Sequence, residues 1–315
     1  MEPNLIWRAS MFTESMLKAC KEGKLKIVRF FCRSTPQVIP SYAQQAAIRQ
    51  GHIHIYHHFI FELNLIPNLS WMLIAASSGQ LDILVDLVTR GIAVTMEVVR
   101  AGMFSCNVEV VRWLCEQHAP NEHCLECAAI TGDLSVVRYL VEKHHVQVTL
   151  NAMEHSQGAV LKYFILDLRL FVPEHVFITA AIYGYTGNLR FLVEQQLPLP
   201  PRLLRHAARY GNIEIVKLLV ECGQNIHEGN EYALRWAARK GHVHVVRFLL
   251  SCGADARAYN HYSRRFAQRY GHREVVSLLK QAGRAKRGYI DATLLNKPAQ
   301  TTSCTRTAKT GGHVV

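Results

Sequence analysis

The feature that most constrains the fold is a stretch of sequence that recurs every thirty residues. Residues 207–223 read AARYGNIEIVKLLVECG, residues 237–253 read AARKGHVHVVRFLLSCG, and residues 267–283 read AQRYGHREVVSLLKQAG. The central glycines of the three copies are Gly211, Gly241 and Gly271. A fixed step of this size indicates a repeat architecture, in which each copy is one supersecondary unit.

Each copy predicts a helix, a turn and a second helix. Before the glycine, small paired alanines allow a neighbouring helix to approach closely, and after it apolar residues recur at helical spacing, at positions 213, 215, 216, 218 and 219. The glycine suits the left-handed backbone that ends the first helix. Asn212, with His242 and His272 in the later copies, suits the N-cap of the second helix.

The same template matches seven earlier places in the chain. The ten turn positions are Gly23, Gly51, Gly79, Cys106, Gly132, Ser156, Gly184, Gly211, Gly241 and Gly271. A single helix pair cannot bury its own apolar face, so the pairs are expected to stack. The sequence therefore predicts an all-α solenoid of about ten short helix-turn-helix repeats over residues 14–283, after a lead-in at 1–13. We expect the fourth and sixth repeats to be the least regular, because Cys106 and Ser156 adopt a left-handed turn less readily than glycine.

The repeats resemble ankyrin repeats. The resemblance is carried by the alanine pairs, by GHVHVVRFLL at 241–250 and by CGAD at 252–255, whereas RLLRHA, YALRWA and YSRRFA stand where that family has T-P-L-H-x-A. The short steps are expected to reduce the family's β-hairpin finger to a plain loop, and they resemble the ankyrin-like repeats expanded in giant DNA viruses of amoebae and in amoebae. The resemblance implies a non-catalytic protein–protein interaction scaffold or adaptor.

The net positive charge of the chain comes entirely from its C-terminal third. Residues 1–200 hold 16 Lys and Arg against 17 Asp and Glu, whereas residues 201–315 hold 20 against 7. Residues 284–315 have no helical period and are rich in Thr, Gly and basic residues, so we predict a disordered basic tail there.

Arginines recur in the last three repeats, six and two residues before each turn glycine. They are Arg205, Arg209, Arg235, Arg239, Arg265 and Arg269. Residues four apart share one face of a helix, and the resemblance implies that the first helices and loops line the binding surface. The arginines six residues before the glycine occupy the place of a structural histidine of the family, so we favour a role in bracing loop carbonyls. For the arginines two residues before the glycine, we weigh two interpretations equally. They are either solvated helix ends or a stripe that faces a partner.

Two functions follow from this charge. The first is a scaffold whose protein partner is acidic or phosphorylated at the C-terminal repeats. The alternative is an anion-binding module for nucleic acid or a phosphorylated partner, although we expect no regular set of aromatic rings of the kind that single-strand binders use. A further basic stripe, six residues after the turn, is expected to be merely solvated: Arg29, Arg112, Arg138, Lys162, Arg190, Lys217 and Arg247.

Catalytic and metal-binding motifs are incomplete. Cys124 and Cys127 have only His118 and His123 nearby, and His54 and His58 are a lone pair four residues apart, whereas a structural zinc site needs four ligands. We predict no enzyme activity, no cofactor and no metal. We find no membrane span and no signal peptide, so we predict a location inside the cell, in the cytoplasm (that of the host if the protein is viral), with the nucleus left open. We also predict a monomer.

Overall fold

The computed structural model describes residues 13–34 and 39–285, and within these residues the chain is all-α, with no strand. Its twenty α-helices form ten consecutive pairs, here called repeats 1 to 10. The first seven pairs are α1 (13–21) and α2 (Leu25–Ser34), α3 (Ser41–Arg49) and α4 (Ile53–His57), α5 (Leu69–Ser77) and α6 (Leu81–Thr89), α7 (Met96–Gly102) and α8 (Val108–Gln117), α9 (Glu122–Thr131) and α10 (Leu134–His144), α11 (Leu150–His155) and α12 (Ala159–Lys162), and α13 (Glu174–Tyr183) and α14 (Thr186–Glu194). The last three are α15 (Leu203–Tyr210) and α16 (Ile213–Glu221), α17 (Glu228–Lys240) and α18 (Val243–Ser251), and α19 (Ala258–Arg269) and α20 (Arg273–Ala285). The prediction of an all-α array of about ten short repeats is confirmed.

The chain divides into two compact units, which we call the N-terminal unit (Met1–Leu203) and the C-terminal unit (Leu204–Val315). The first contains repeats 1 to 7 and the second contains repeats 8 to 10. The predicted lead-in and basic tail lie outside the described residues, except that residue 13 begins α1 and residues 284 and 285 end α20. The extent of a single array over 14–283 stays a prediction.

Small residues on the first helices and apolar residues on the second form the core of each repeat. Ala237 and Ala238 of α17 are fully buried, as are Val246 and Leu249 of α18. The same alanine pair is buried at 46–47, 75–76, 128–129, 180–181 and 207–208. The first helices α9 and α11 contact each other, and so do α17 and α19, so the methyl-sized side chains let helices pack about 8–10 Å apart.

The turn between the two helices is left-handed in nine of the ten repeats, with φ between 53° and 84°. Cys106 keeps this conformation in repeat 4 although it is not glycine, with φ 53° and ψ 27°. Repeat 6 departs from it: Ser156 has φ −65° and ψ 148°, and Gly158 takes the positive φ instead. The predicted irregularity is therefore found in repeat 6, and the turn of repeat 4 is retained.

The residue after the turn ties a repeat to the one before it. His242 Nε2 lies 2.9 Å from the carbonyl oxygen of Arg209, and His272 Nε2 lies 3.1 Å from that of Arg239. The His242 ring packs against Gly211, where an added Cβ would lie 2.6 Å from it. The prediction that this position caps its own helix is wrong for Asn212 and His242, because neither side chain makes the capping hydrogen bond.

Two second helices of the N-terminal unit end in a π-helical turn, at His58–Glu62 in repeat 2 and at Tyr163–Asp167 in repeat 6. The last residue of each turn is acidic and pairs with an arginine of the preceding repeat, Glu62 with Arg29 and Asp167 with Arg138. The hydrogen bond from Arg29 holds the pKa of Glu62 below its usual value. These ion pairs therefore join neighbouring second helices.

Candidate partner-binding surface

The six predicted arginines all lie on the first helices of the C-terminal unit, α15, α17 and α19. We call the three that stand six residues before the turn the distal row (Arg205, Arg235 and Arg265). The three that stand two residues before it are the proximal row (Arg209, Arg239 and Arg269). The two rows differ in what their guanidinium groups contact.

In the distal row, Arg235 is half-buried and held by several contacts. Its Nη2 donates a hydrogen bond of 2.9 Å to the carbonyl oxygen of Gly229, and its Nε is buried with no hydrogen-bond partner within the described residues. Its guanidinium carbon lies 5.2, 4.7 and 5.1 Å from the ring centroids of Tyr232, Tyr259 and Tyr262. Arg235 thus braces a loop carbonyl, which is the role that we favoured for this row.

The other members of the distal row do not brace a carbonyl in the same way. Arg205 donates from Nε to Nε2 of His206 at 3.3 Å, and it lies 5.7 Å from the Tyr232 ring. Arg265 is exposed and makes no hydrogen bond or ion pair within the described part of the chain. The distal row therefore becomes less constrained on either side of Arg235.

In the proximal row, two arginines share one aromatic ring. The guanidinium carbon of Arg209 lies 4.4 Å from the centroid of Trp236, and that of Arg239 lies 4.8 Å from the same centroid. Arg239 also lies 5.4 Å from Phe266 and donates from Nη2 to the hydroxyl of Tyr270 at 3.2 Å, a bond that raises the pKa of Arg239. Contacts of this kind attract a cation to the negative face of a ring.

The proximal row keeps donor groups available. Arg209 makes no side-chain hydrogen bond or ion pair with any residue that the structure describes, and neither does the exposed Arg269. Arg239 uses one N–H group on Tyr270. Because a guanidinium carries five N–H donors around its edge, an arginine that stacks by its face can still bind an anion at its edge.

Aromatic rings recur at the same two positions of repeats 9 and 10. The prediction that the basic region lacks a platform of rings on which bases could stack stays a prediction. Tyr232 and Tyr262 stand nine residues before their turns, and Trp236 and Phe266 stand five before. Each of the four arginines in repeats 8 and 9 contacts one of these rings in the following repeat. The signal was present in the sequence as aromatic residues thirty positions apart.

A left-handed backbone segment near the start of α17 kinks the helix and supplies the carbonyl that Arg235 braces. Gly229, Asn230 and Glu231 have φ between 56° and 61°, a conformation that is unfavourable for residues other than glycine. The buried carboxylate of Glu231 accepts a hydrogen bond of 3.0 Å from the backbone N–H of Asp255 and contacts Nδ1 of His227 at 2.6 Å. These contacts, with the bond from Arg235 to Gly229, stabilise the segment.

A second left-handed segment lies near the start of α19. Tyr259, Asn260 and His261 have φ between 52° and 56°. Tyr259 is the residue whose ring lies 4.7 Å from the guanidinium carbon of Arg235. The strained backbone of repeat 10 thus supplies one of the three rings around an arginine of repeat 9.

The first helices of the N-terminal unit carry no such arginine pairs. In three of these repeats the corresponding positions are Leu73 and Ser77, Glu126 and Ile130, and Leu150 and Glu154. Here acidic side chains join neighbouring first helices: Thr149 donates to Glu126 at 2.8 Å, and Thr179 donates to Glu154 at 3.4 Å. The arginine surface is therefore a property of the C-terminal unit.

The basic stripe on the second helices is not merely solvated, and that expectation is wrong for six of its seven members: five contact the next repeat, and Lys217 pairs with Glu214 of its own helix at 3.0 Å. Arg29, Arg138 and Arg247 pair with acidic residues of the next repeat. Arg112 and Lys162 lie over Tyr139 and Phe191 of the next repeat, at 5.7 and 5.4 Å. This stripe therefore joins repeats to one another.

The predicted histidine and cysteine pairs have structural contacts of their own. His54 contacts the carbonyl oxygen of Gly23 at 3.0 Å, and the buried His58 lies 3.1 Å from Glu62. Burial raises the pKa of Cys124 and of Cys127, which favours neutral thiols over the thiolates that bind metals. Among the described residues, no group of three or more His, Cys, Asp or Glu could hold a metal ion. No described helix has both the length and the apolar character needed to cross a membrane.

Comparisons with known proteins bear on the repeats. A family model described as ankyrin repeats (3 copies) matches residues 203–289, so the predicted resemblance is confirmed over the part that carries α15 to α20. The chain is also similar to the crystal structure of the human ASB11 ankyrin repeat domain, at 19% identity and a TM-score of 0.37, over 67% of this chain and 96% of that chain. No curated protein matches the sequence. The narrower resemblance to the repeats of giant viruses and amoebae stays a prediction.

Proposed function

We propose that the chain is a non-catalytic interaction module that binds an acidic or phosphorylated protein partner through the proximal row of arginines. Ankyrin repeats generally mediate protein–protein interaction, and residues 203–289 match that family. The observation that carries the proposal is the arrangement of Arg209 and Arg239, whose guanidinium groups lie over Trp236 while N–H donors remain, together with the exposed Arg269 in the next repeat. We further propose that the protein acts inside the cell as a monomer, and that it is of the short-repeat giant-virus type.

Charge complementarity supports an anionic partner. Residues 201–315 carry 13 more basic than acidic residues, so the surface attracts anions at long range and the attraction weakens as salt is added. Arginine then gives the contact its geometry, because its planar fork can hold a carboxylate or a phosphate with two hydrogen bonds.

The test is the substitution of the whole proximal row, R209Q/R239Q/R269Q, in the full chain. The matched control is K217Q/R247Q/K280Q, which removes three positive charges from the second helices of the same repeats. Binding of a fluorescent glutamate-rich peptide is measured by anisotropy at low and high salt. We expect the first variant to lose roughly tenfold or more in affinity and the control to lose much less. Equal losses in both variants would show that only the net charge matters.

Nucleic acid is the second candidate, since arginines and aromatic rings occur together on this surface. The ring faces nearest the arginines are already covered by guanidinium groups, which leaves less room for stacked bases. The same anisotropy measurement with a single-stranded oligonucleotide separates the two candidates. Binding tighter than that of the peptide, with a steep dependence on salt, would favour nucleic acid.

A further inference from the structure

Trp236 of α17 contacts two arginines of the proximal row. The guanidinium carbon of Arg209, from repeat 8, lies 4.4 Å from the centroid of Trp236, and that of Arg239, from the same helix as the ring, lies 4.8 Å from it. Among aromatic side chains, tryptophan attracts a cation most strongly. Both guanidinium groups are thus held by one half-buried side chain.

A second ring of α17 is also shared by two arginines, but it serves the distal row. The guanidinium carbons of Arg205 and Arg235 lie 5.7 and 5.2 Å from the centroid of Tyr232. Of these two, Arg235 donates to the carbonyl oxygen of Gly229 and has a buried Nε. Tyr232 therefore holds an arginine that braces a loop, and it provides a matched comparison for Trp236.

Arg269, the third arginine of the proximal row, is not held by a ring. It is exposed, and among the residues that the structure describes it makes no hydrogen bond, ion pair or contact with an aromatic ring. Phe266 stands three residues before it, as Trp236 stands before Arg239, but the Phe266 ring lies 5.4 Å from the guanidinium carbon of Arg239 instead. The row therefore contains two arginines that are held and one that is not.

An arginine that is held before binding loses less entropy when it binds an anion. A free side chain must give up many rotamers to hold a carboxylate or a phosphate, and this loss opposes binding. Stacking uses the face of the guanidinium and leaves N–H donors at its edge. The contribution of an arginine to affinity should therefore depend on the ring beside it as well as on its charge.

We propose that Trp236 is a positioning residue for anion binding, and that the binding site is the cluster of Arg209, Trp236 and Arg239. Trp236 holds the two guanidinium groups in place for carboxylate or phosphate groups of the partner, whereas Arg269 contributes only its charge. This proposal rests on the proposed function and adds to it which arginines bind the partner and what holds them.

The first experiment compares R209Q, R239Q and R269Q in the full chain, since each variant loses one positive charge of the same row. Anisotropy of the fluorescent glutamate-rich peptide is measured at low and high salt. A phosphoserine peptide is measured in parallel, and the peptide that binds more tightly identifies the anion. We expect R209Q and R239Q each to weaken its binding roughly fivefold or more. R269Q should weaken it by about twofold at most, and less at high salt.

The second experiment changes the ring without changing the charge. W236L removes the ring, W236F keeps one, and Y232L removes the neighbouring ring of the same helix. We expect W236L to weaken binding roughly fivefold, W236F to bind within about twofold of the wild type, and Y232L to bind like the wild type. In the R209Q/R239Q background, W236L should have no further effect, because Trp236 acts through these two arginines. Urea unfolding followed by circular dichroism establishes that each variant is folded.

Each part of the proposal has an outcome that overturns it. A loss in R269Q as large as that in R209Q would overturn the assignment of the site, while the proposed function would stand. Wild-type binding by W236L, equal losses in W236L and W236F, or an equal loss in Y232L would overturn the role of Trp236. Should W236L not fold, the comparison of R209Q with R269Q still tests the site, because neither variant changes the core. If R209Q/R239Q/R269Q bound both peptides as tightly as the wild type, the proposed function itself would fail.

Discussion

The two units of the molecule use the same interaction on different helices. In the N-terminal unit, basic residues contact aromatic rings of the next repeat on the second helices, as Arg112 does with Tyr139 and Lys162 with Phe191. In the C-terminal unit the corresponding contacts are on the first helices, as between Arg209 and Trp236. Both units bury the same alanine pairs. The difference shows that the buried alanine pairs determine the structure of the repeat. The contacts between cations and rings vary separately and occur on either the first or the second helices.

The largest expected effect tests whether the cores of the two units are built in the same way. Ala238→Arg in α17 and Ala129→Arg in α9 change equivalent, fully buried positions three residues before the turn. Each should destabilise its unit by about 3 kcal/mol or more, because the site is overpacked and a charge is buried without a partner. Urea unfolding followed by circular dichroism measures the change, with Lys240→Arg at the exposed end of α17 as the control. An unchanged midpoint for either variant would mean that the register of that unit is misassigned.

A smaller effect concerns polar contacts that join repeats of the N-terminal unit. The buried Tyr56 donates a hydrogen bond of 2.5 Å from its hydroxyl to Asp86 of the next repeat, and Arg90 donates to the same carboxylate at 2.6 Å. Asp86→Ala leaves the tyrosine hydroxyl without its acceptor, so we expect a loss of about 1–3 kcal/mol. Asp86→Asn keeps an acceptor oxygen and should lose less in the same unfolding experiment. Equal losses would contradict the role of this hydrogen bond.

The same carboxylate predicts a dependence on pH. Partial burial acts to raise the pKa of Asp86, but hydrogen bonds from Arg90 and Tyr56 outweigh it and lower the pKa below its usual value. A lowered pKa in the folded state contributes stability above the unfolded pKa of about 3.9, and this stability is lost as the pH falls through the folded value. The advantage of the wild type over Asp86→Asn should therefore shrink in acid. A constant difference between pH 6 and pH 3 would count against this assignment.

The smallest expected effect is the energy of the contact between an arginine and an aromatic ring, which was compared between the two units above. Double-mutant cycles with Arg209→Ala and Trp236→Leu, and with Arg112→Ala and Tyr139→Leu, should each give a coupling of about 0.5–1 kcal/mol. We expect the first to be larger, because its cation lies 4.4 Å from the ring centroid and the second lies at 5.7 Å. A coupling near zero in the C-terminal pair alone would show that its rings do not hold the arginines.

The repeat pattern made the fold predictable from the sequence. The step between glycines, the alanine pairs and the helical spacing after each turn are local signals, and each corresponds to one helix pair in the structure. Irregular turns were harder, because the backbone at Ser156 depends on Gly158 two residues later, whereas Cys106 is simply held in the left-handed region.

The candidate surface was predictable only in part. The positions of the arginines follow from the repeat, but their contacts depend on side chains one repeat away, such as Trp236 for Arg209. The role of Arg235 required the left-handed backbone at Gly229, which no turn motif in the sequence indicated. The contact from His242 to the carbonyl of Arg209 was missed because the two residues lie in different repeats.

The histidine ties have a consequence for how the C-terminal unit opens. Each tie runs backward, from His242 to repeat 8 and from His272 to repeat 9, so cooperativity passes between nearest neighbours as in a one-dimensional chain. Both ties involve repeat 9, one through His242 and one through the carbonyl of Arg239. The amides of repeat 9 should accordingly exchange with solvent only through openings that involve a neighbouring repeat as well.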